Sequence, residues 1–359
     1  MARLSIGEFA QASGLTPTAL RLYDELGLLP PAHVDPRSGY RSYDQAQLDR
    51  ARLVAWLRAL GMPLARIRVV CDLPPPAATA EVTSYWRQVE ADTAARKELA
   101  TFLIDHLSRK DMEMADSHPE LELRYAARTD RGLVRETNED VAYAGSCLFA
   151  VADGFGTQGT DRAASFAAIE ALTPLDADVP ASNLLTALGA AASDARTAVH
   201  DFTESDPSRA DAGTTLTAML WSGAQFGLVH VGDSRAYLLR EGELTQITHD
   251  HTFVQSLVDE GKLTPEEAAA HPRRVTLQRA LHRDSTTEPD LHLREAHAED
   301  RYLLCSDGLH AVVPEPRLRQ VLDTAVTPRE AVDHLIELVR DAGAPDNVSC
   351  VIADAVAHT

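Results

Sequence analysis

Four short apolar runs in this chain each bring an aspartate to one end, and that recurrence restricts the fold more than any other feature. Cys147 to Ala152 runs into Asp153-Gly154, Phe226 to Val231 into Gly232-Asp233-Ser234-Arg235, and Tyr302 to Cys305 into Ser306-Asp307-Gly308. The fourth, Val348 to Ile352, follows Asp346-Asn347. Runs of this length bounded by turn residues read as buried strands. A single Asp-Gly is usually only a turn. Four in this arrangement, with Arg135-Glu136-Thr137-Asn138-Glu139-Asp140 upstream, are what an antiparallel sandwich needs to gather carboxylates at its strand ends.

Crowded carboxylates repel one another unless they are protonated or bind cations. Hard oxygen donors select Mg²⁺ or Mn²⁺ over softer metals. Two such ions about 3.5 to 4 Å apart can lower the pKa of a water and hold it in line with a phosphorus atom. An arginine fork then matches two phosphate oxygens, and Arg135 is the candidate. Thiolate phosphatase chemistry is excluded, because none of Cys71, Cys147, Cys305 and Cys350 has an arginine six residues later. The four are far apart, with no CxxC pair, and read as buried reduced thiols.

From about Tyr125 to Asp354 these motifs resemble the metal-dependent protein phosphatases of the 2C (PPM) type, in their bacterial Ser/Thr branch. Gly213-Thr214-Thr215-Leu216-Thr217 and Leu244-Thr245-Gln246-Ile247-Thr248 belong to the same likeness. The resemblance implies an α+β domain over residues 121–356, two stacked antiparallel sheets flanked by helices. It implies that Asp153 bridges two core Mn²⁺ or Mg²⁺ ions, with Glu139 and the Gly154 carbonyl on one and Asp307 and Asp346 on the other. Asp233 would belong to a third, weaker position, and Arg135 would hold the substrate phosphate. Asp250 to Asp284 resembles the flap that influences substrate choice in this family, and His249, His251 and His271 near it read as surface or core histidines. One departure is Phe155-Gly156-Thr157-Gln158-Gly159 in place of the usual Met-Gly-Gly-His loop. Some relatives carry a histidine directly after the Asp-Gly as a possible general acid; with Phe155 there, leaving-group protonation falls to water or another group.

The N-terminal segment is electrostatically separate. Residues 1–70 carry nine Arg, no Lys and six acidic residues, net +3, within a chain of net charge −20. Apolar spacing predicts a short helix in Leu4 to Ala12, then a Ser13-Gly14 turn. A second helix follows, with Thr16 as N-cap, Pro17 in its first turn, Leu20 and Leu26 packing inward, and a stop at Gly27. Helix, turn, helix places Thr16, Thr18 and Arg21 toward a major groove. Arg37-Ser38-Gly39-Tyr40-Arg41-Ser42-Tyr43 reads as a wing suited to phosphate and sugar contacts. From Leu4 to about Val70 the chain resembles the MerR family of transcription regulators, carried by Leu4-Ser5-Ile6-Gly7-Glu8, Ala19 to Pro31, Ser38 to Tyr43 and Leu57 to Leu64. That likeness implies a winged helix-turn-helix head over 1–72, binding a two-fold double-stranded operator as a dimer through Thr16, Thr18, Arg21, Tyr23, Arg37, Tyr40 and Arg41. Leu22 stands where many relatives have a tyrosine.

After Pro74-Pro75-Pro76, residues 78–112 read as a dimerisation helix with Val82, Tyr85, Val89, Leu99, Leu103 and His106 near heptad a and d positions, or else as an amphipathic linker packed on its own chain. Polar Asp116 to Pro119 marks the next boundary. No signal-peptide run or membrane-length apolar stretch is present, so a cytoplasmic protein with no membrane partner is expected. The reading is multidomain: a helical winged head, a long helix, and a phosphatase acting on phosphoserine or phosphothreonine proteins. Two alternatives stand beside it, a phosphatase fold that only senses phosphate or metal, and a head that serves dimerisation without an operator.

Overall fold

The computed structural model describes residues 3–108, 121–156 and 164–357, and the chain divides into two compact units, Met1–Val89 with Phe253–Thr276, and Glu90–Thr252 with Leu277–Thr359. Among the described residues no helix is long and apolar enough to cross a membrane.

In the first unit Leu4 lies in a strand, Arg3–Ser5, paired with Arg41–Asp44, so the first helix begins later than its periodicity suggests, at Ile6–Ser13. A capping box starts it: Ser5 Oγ accepts the Glu8 N–H and Glu8 accepts the Ser5 N–H. Thr16 caps Pro17–Glu25 by accepting the Ala19 N–H. Leu20 and Tyr23 face inward, but Leu26 is 42% exposed. The helix stops at Glu25, and the left-handed backbone of Gly27 (φ 66°) redirects the chain so that Leu28 and Leu29 enter the core instead. His33–Val34 and Arg41–Asp44 form the expected wing, with Arg3–Ser5 as the third strand of its sheet. Tyr43, read above as part of the wing surface, is buried and stacked on Phe9 at 4.5 Å. Helices Leu48–Ala59 and Leu64–Asp72 close this core.

The long helix is continuous over Pro75–Ser108. Pro75 and Pro76 do not separate it from the head, since proline is tolerated in a first helical turn. Val82 and Tyr85 pack against the head's own core, the alternative weighed for this segment. The side chains of Leu99, Leu103 and His106, positions 109–112, and the boundary at Asp116 to Pro119 lie outside the described residues.

The second unit is built on two five-stranded antiparallel sheets. One runs in the order Asp290–Glu295, Gln225–Val231, Leu216–Ser222, Leu148–Ala152, Val141–Ala144. The other runs Glu243–Gln246, Arg235–Arg240, Arg301–Cys305, Val348–Ala357, Leu121–Asp130. Side chains alternate between faces along each strand. Phe149, Val151, Tyr302, Leu304, Val351 and Ala353 meet between the sheets. Leu148 and Ala150 face the helices Ala164–Leu172 and Leu184–Glu204, and Leu303 and Cys350 face Glu315–Thr324 and Pro328–Asp341. Burial on both faces explains why the four runs read as continuous apolar stretches, each fully buried Leu or Phe contributing about 1.5 to 3 kcal/mol. All four cysteines are free thiols, Cys305 and Cys350 being fully buried.

Candidate active site

Strand register assembles the acidic residues. Val141 pairs with Ala152, which sets Asp140 beside Asp153; Cys305 pairs with Cys350, which sets Ser306 and Asp307 beside Ser349. Ser306 Oγ donates to Asp140 Oδ2 at 2.6 Å and accepts the Ser349 N–H at 2.9 Å, tying the ends of the two sheets together. The backbone of Asp153 is fixed by the paired threonines: its N–H donates to Thr215 Oγ1 (3.0 Å), and its carbonyl accepts from the Thr215 N–H and from Thr214 Oγ1 (both 2.9 Å). Thr215 Oγ1 and Ser234 Oγ are 2.7 Å apart, which links this strand end to the turn carrying Asp233.

Arg135, Glu139 and Asp346 share a second cluster of contacts. Asn347 accepts the Glu139 N–H (2.9 Å) and donates to the carbonyls of Arg131 (2.9 Å) and Thr137 (2.8 Å), stapling the loop of residues 131–139 to the start of Val348–Ala357. Gly132 sits at φ 77°, and a Cβ there would stand 2.2 Å from the Asp346 carbonyl oxygen, so only glycine fits. Arg135 Nη2 then reaches Asp346 Oδ2 at 2.7 Å. The guanidinium is half-exposed, with donors left over for an anion. The Gly154 N–H bonds the Glu139 carbonyl at 3.2 Å.

The cluster's charge is its main physical property. Burial, then repulsion from Asp140, Asp307 and Asp233, pushes the Asp153 carboxyl well above the usual range. Burial raises Asp140 to about 7 and Asp233 to about 8, and raises Asp307 as well. Carboxyls buried and crowded in this way keep a proton at pH values where an exposed carboxyl has lost it. A cation would replace that proton, and an all-oxygen, mostly carboxylate donor set suits Mn²⁺ or Mg²⁺. Among the described residues no three His, Cys, Asp or Glu side chains converge closely enough to hold a metal ion as they stand. Phe155 lies in a two-residue strand with its ring against Gly213, and has no proton to give; Thr157, Gln158 and Gly159 lie outside the described residues.

Residues 136–346 match the protein phosphatase 2C family, and residues 4–73 match the MerR HTH family of regulatory proteins. The chain belongs to the protein phosphatase 2C family. Its phosphatase 2C domain is similar to the serine/threonine protein phosphatase PstP of Mycobacterium tuberculosis, 52% identical over 236 residues, which are 66% of this chain and 46% of that protein. The chain thus spans about half the length of that relative. The serine/threonine phosphatase stp of Listeria monocytogenes is 33% identical over 238 residues, 63% of this chain and 94% of that protein. Among solved structures, the M. tuberculosis phosphatase PstP/Ppp superposes with a TM-score of 0.62 at 52% identity, covering 66% of this chain and 99% of that one. The catalytic domain of PstP in complex with two manganese ions gives 0.61 at 51% identity, with the same coverage.

Sequence reading missed part of the phosphatase 2C domain's site. Asp140 closes an acidic run with nothing in its sequence to set it apart, yet its place immediately before Val141–Ala144 makes it the buried neighbour of Asp153. The bridging roles of Asn347, Thr215 and Ser234 have no signature in the sequence, because uncharged side chains that staple backbone look like any other turn or strand residue. Arg235 and Asp250 form a bidentate pair (Nε to Oδ1 3.0 Å, Nη2 to Oδ2 2.6 Å) next to Asp233, which their separation in sequence conceals. In the head, Thr18, Arg21, Arg37 and Tyr40 are exposed, and Thr16 is exposed with its hydroxyl engaged as cap. Tyr23 is 5% exposed, in the core rather than on the contact face, because it shares the inward stripe with Leu20. Arg41 is tied through Nε to Asp24 Oδ2 at 2.6 Å, bracing the wing on the second helix.

Proposed function

We propose that the chain is a metal-dependent protein Ser/Thr phosphatase carried on an operator-binding MerR-type head, acting in the cytoplasm, where operator DNA and phosphoproteins are both at hand. One observation carries the enzymatic half: like-charged, half-buried carboxylates at the ends of four strands, with Arg135 beside them. Two Mn²⁺ or Mg²⁺ ions held by Asp153, Glu139, Asp307, Asp346 and the Gly154 carbonyl would lower the pKa of a water and neutralise charge on the phosphoryl group. Arg135, anchored on Asp346, grips phosphate oxygens with its free N–H groups and fixes the phosphorus against the carboxylate cluster. Asp140, buried and accepting from Ser306, holds Asp153 in register. Phe155 has no proton to give, so proton delivery to the leaving oxygen falls to water or another group.

For the head, Thr18, Arg21, Arg37 and Tyr40 supply the exposed contact face, and a homodimer through the segment of residues 78–112 would match a two-fold operator. Coupling between the two activities is supported by the division of the chain itself. The segment Phe253–Thr276 belongs to the same compact unit as the head, and within that unit Arg68 Nη2 meets Glu267 Oε1 at 2.5 Å. The test is phosphate release from a phosphothreonine peptide by the full chain, with Mn²⁺, with EDTA and with added duplex DNA, alongside salt-dependent DNA binding. Turnover that needs Mn²⁺ and changes with bound duplex is expected. Folded protein that binds Mn²⁺ and phosphopeptide without turnover would instead be a sensor.

A further inference from the structure

The turn that carries Asp233 is hung on two imidazoles. Gly232 adopts φ 110°, and a Cβ there would stand 2.6 Å from the Thr215 side chain, so the turn is tightly wedged and glycine is required. The Gly232 N–H donates to His251 Nδ1 at 3.1 Å, and the His251 N–H donates back to the Gly232 carbonyl at 2.8 Å. On the far side of the same turn, His310 Nε2 lies 2.9 Å from the Asp233 carbonyl, to which it donates. These bonds fix tautomers. His251 Nδ1 accepts an amide hydrogen, so its own hydrogen is on Nε2, 3.0 Å from Asp290 Oδ2. Arg279 Nη1 holds the other oxygen of Asp290 at 2.9 Å; its 3.3 Å approach to His251 Nε2 is proximity, since both nitrogens carry hydrogens.

His251 also stands at the root of the flap. Its carbonyl accepts the Gln278 N–H at 2.8 Å, and the next residue, Thr252, makes a β-bridge with Leu277, where the flap's two ends meet. Its ring is buried and lies against the His230 ring at 4.8 Å; His230 in turn is held between Thr217 Oγ1 (2.9 Å) and the His249 carbonyl (3.0 Å). The orientation of this imidazole is therefore set from every side, and its Nδ1 is aimed at the amide preceding Asp233.

We propose that His251 is a positioning residue for the weaker cation position at Asp233, oriented by Asp290 and Arg279, and that it joins the flap root to that position through a single side chain. The proposal rests on the reading of Asp233 as a cation ligand. Removing the imidazole frees the Gly232 N–H and lets the Asp233 carboxylate drift, whereas Asp153, held by Thr214 and Thr215, keeps its place. The effect is therefore selective for the weakest cation rather than general.

The test is calorimetric titration of the full chain with Mn²⁺ alone, no substrate present, for wild type, His251→Ala, His251→Asn and Asp290→Asn, with thermal unfolding of each. The weakest Mn²⁺ step should weaken about 10-fold or more in His251→Ala, within the range expected when a ligand's supporting partner is lost, while the tighter steps stay within about twofold. Asp290→Asn should weaken it less, and His251→Asn should restore part of it, because an amide oxygen can accept the Gly232 N–H. If His251→Ala does not fold, the Asn and Asp290→Asn variants decide by the same criterion. The proposal is overturned if the weakest step is unchanged in folded variants, if all steps weaken together, or if wild type binds no ion more weakly than the core pair. Turnover of p-nitrophenyl phosphate by wild type at saturating Mn²⁺, measured separately, reports whether the phosphatase reading itself holds.

Discussion

In the head, the contact candidates Thr18, Arg21, Arg37 and Tyr40 stand in solvent over a core of Phe9, Leu20, Tyr23 and Tyr43 that would persist without them. In the phosphatase domain, Asp140, Asp153, Asp233 and Asp307 are crowded at the ends of the very strands that make the core, where burial and mutual repulsion raise their pKa values. The head can therefore lose a functional residue and remain as stable as before. The phosphatase domain cannot alter its site without altering its stability, because the fold there contains a charge defect that a cation corrects.

The sharpest way to break this contrast is at Asp153. Asp153→Asn should reduce Mn²⁺-dependent phosphopeptide turnover by about 10³-fold or more, on the scale at which losing a key catalytic group costs about 4 kcal/mol. The same change should raise the metal-free melting temperature, since it removes a buried carboxyl that must either keep a proton at neutral pH or repel its neighbours. A higher melting point without loss of turnover would show that the crowding is structural only.

Core and contact face in the head can be separated next. Tyr23→Ala should destabilise the head by about 3 to 5 kcal/mol in chemical unfolding, the usual cost of truncating a buried aromatic side chain. Arg21→Ala should change stability by no more than about 0.5 kcal/mol, yet lower DNA affinity and reduce the salt slope by about 1. If the two variants exchanged these phenotypes, the division of the second helix into inward and outward stripes would be wrong.

The smallest expected effect is on pH dependence. Folding raises Asp140 to about 7 and Asp233 to about 8 from 3.8, so the folded metal-free protein keeps protons that the unfolded chain has released. Stability contributed by these groups is present at low pH and is lost as pH rises through about 7 to about 8. His230 and His310, lowered by burial to about 3 and about 4, act in the opposite sense only below 6.5, which leaves the neutral-to-alkaline window to the carboxylates. Melting curves in EDTA should therefore fall across that window and flatten with saturating Mn²⁺; parallel curves with and without metal would contradict the assignment.

Much of the architecture was legible because it follows from periodicity. The four doubly buried runs became strands, and Thr16-Pro17 became a capped helix start. Asp153, Asp233, Asp307 and Asp346 were visible as run ends for the same reason. What stayed hidden depends on contacts between distant segments: Asn347 stapling residues 131–139, Thr215 bridging to Ser234, and Tyr43 turning from the wing into the core against Phe9. Leu26 misled because its helix ends one residue before it, and helix ends are set by caps and by turns such as Gly27, which apolar spacing does not encode.

The most direct measurement is the rate of phosphate release from a phosphothreonine peptide by the full chain as a function of Mn²⁺, compared with Asp153→Asn and with both proteins shown to be folded by their melting curves. Saturable Mn²⁺-dependent turnover in the wild type, abolished by EDTA and by the substitution, is the predicted result. A folded wild type that takes up Mn²⁺ and releases no phosphate would contradict the account.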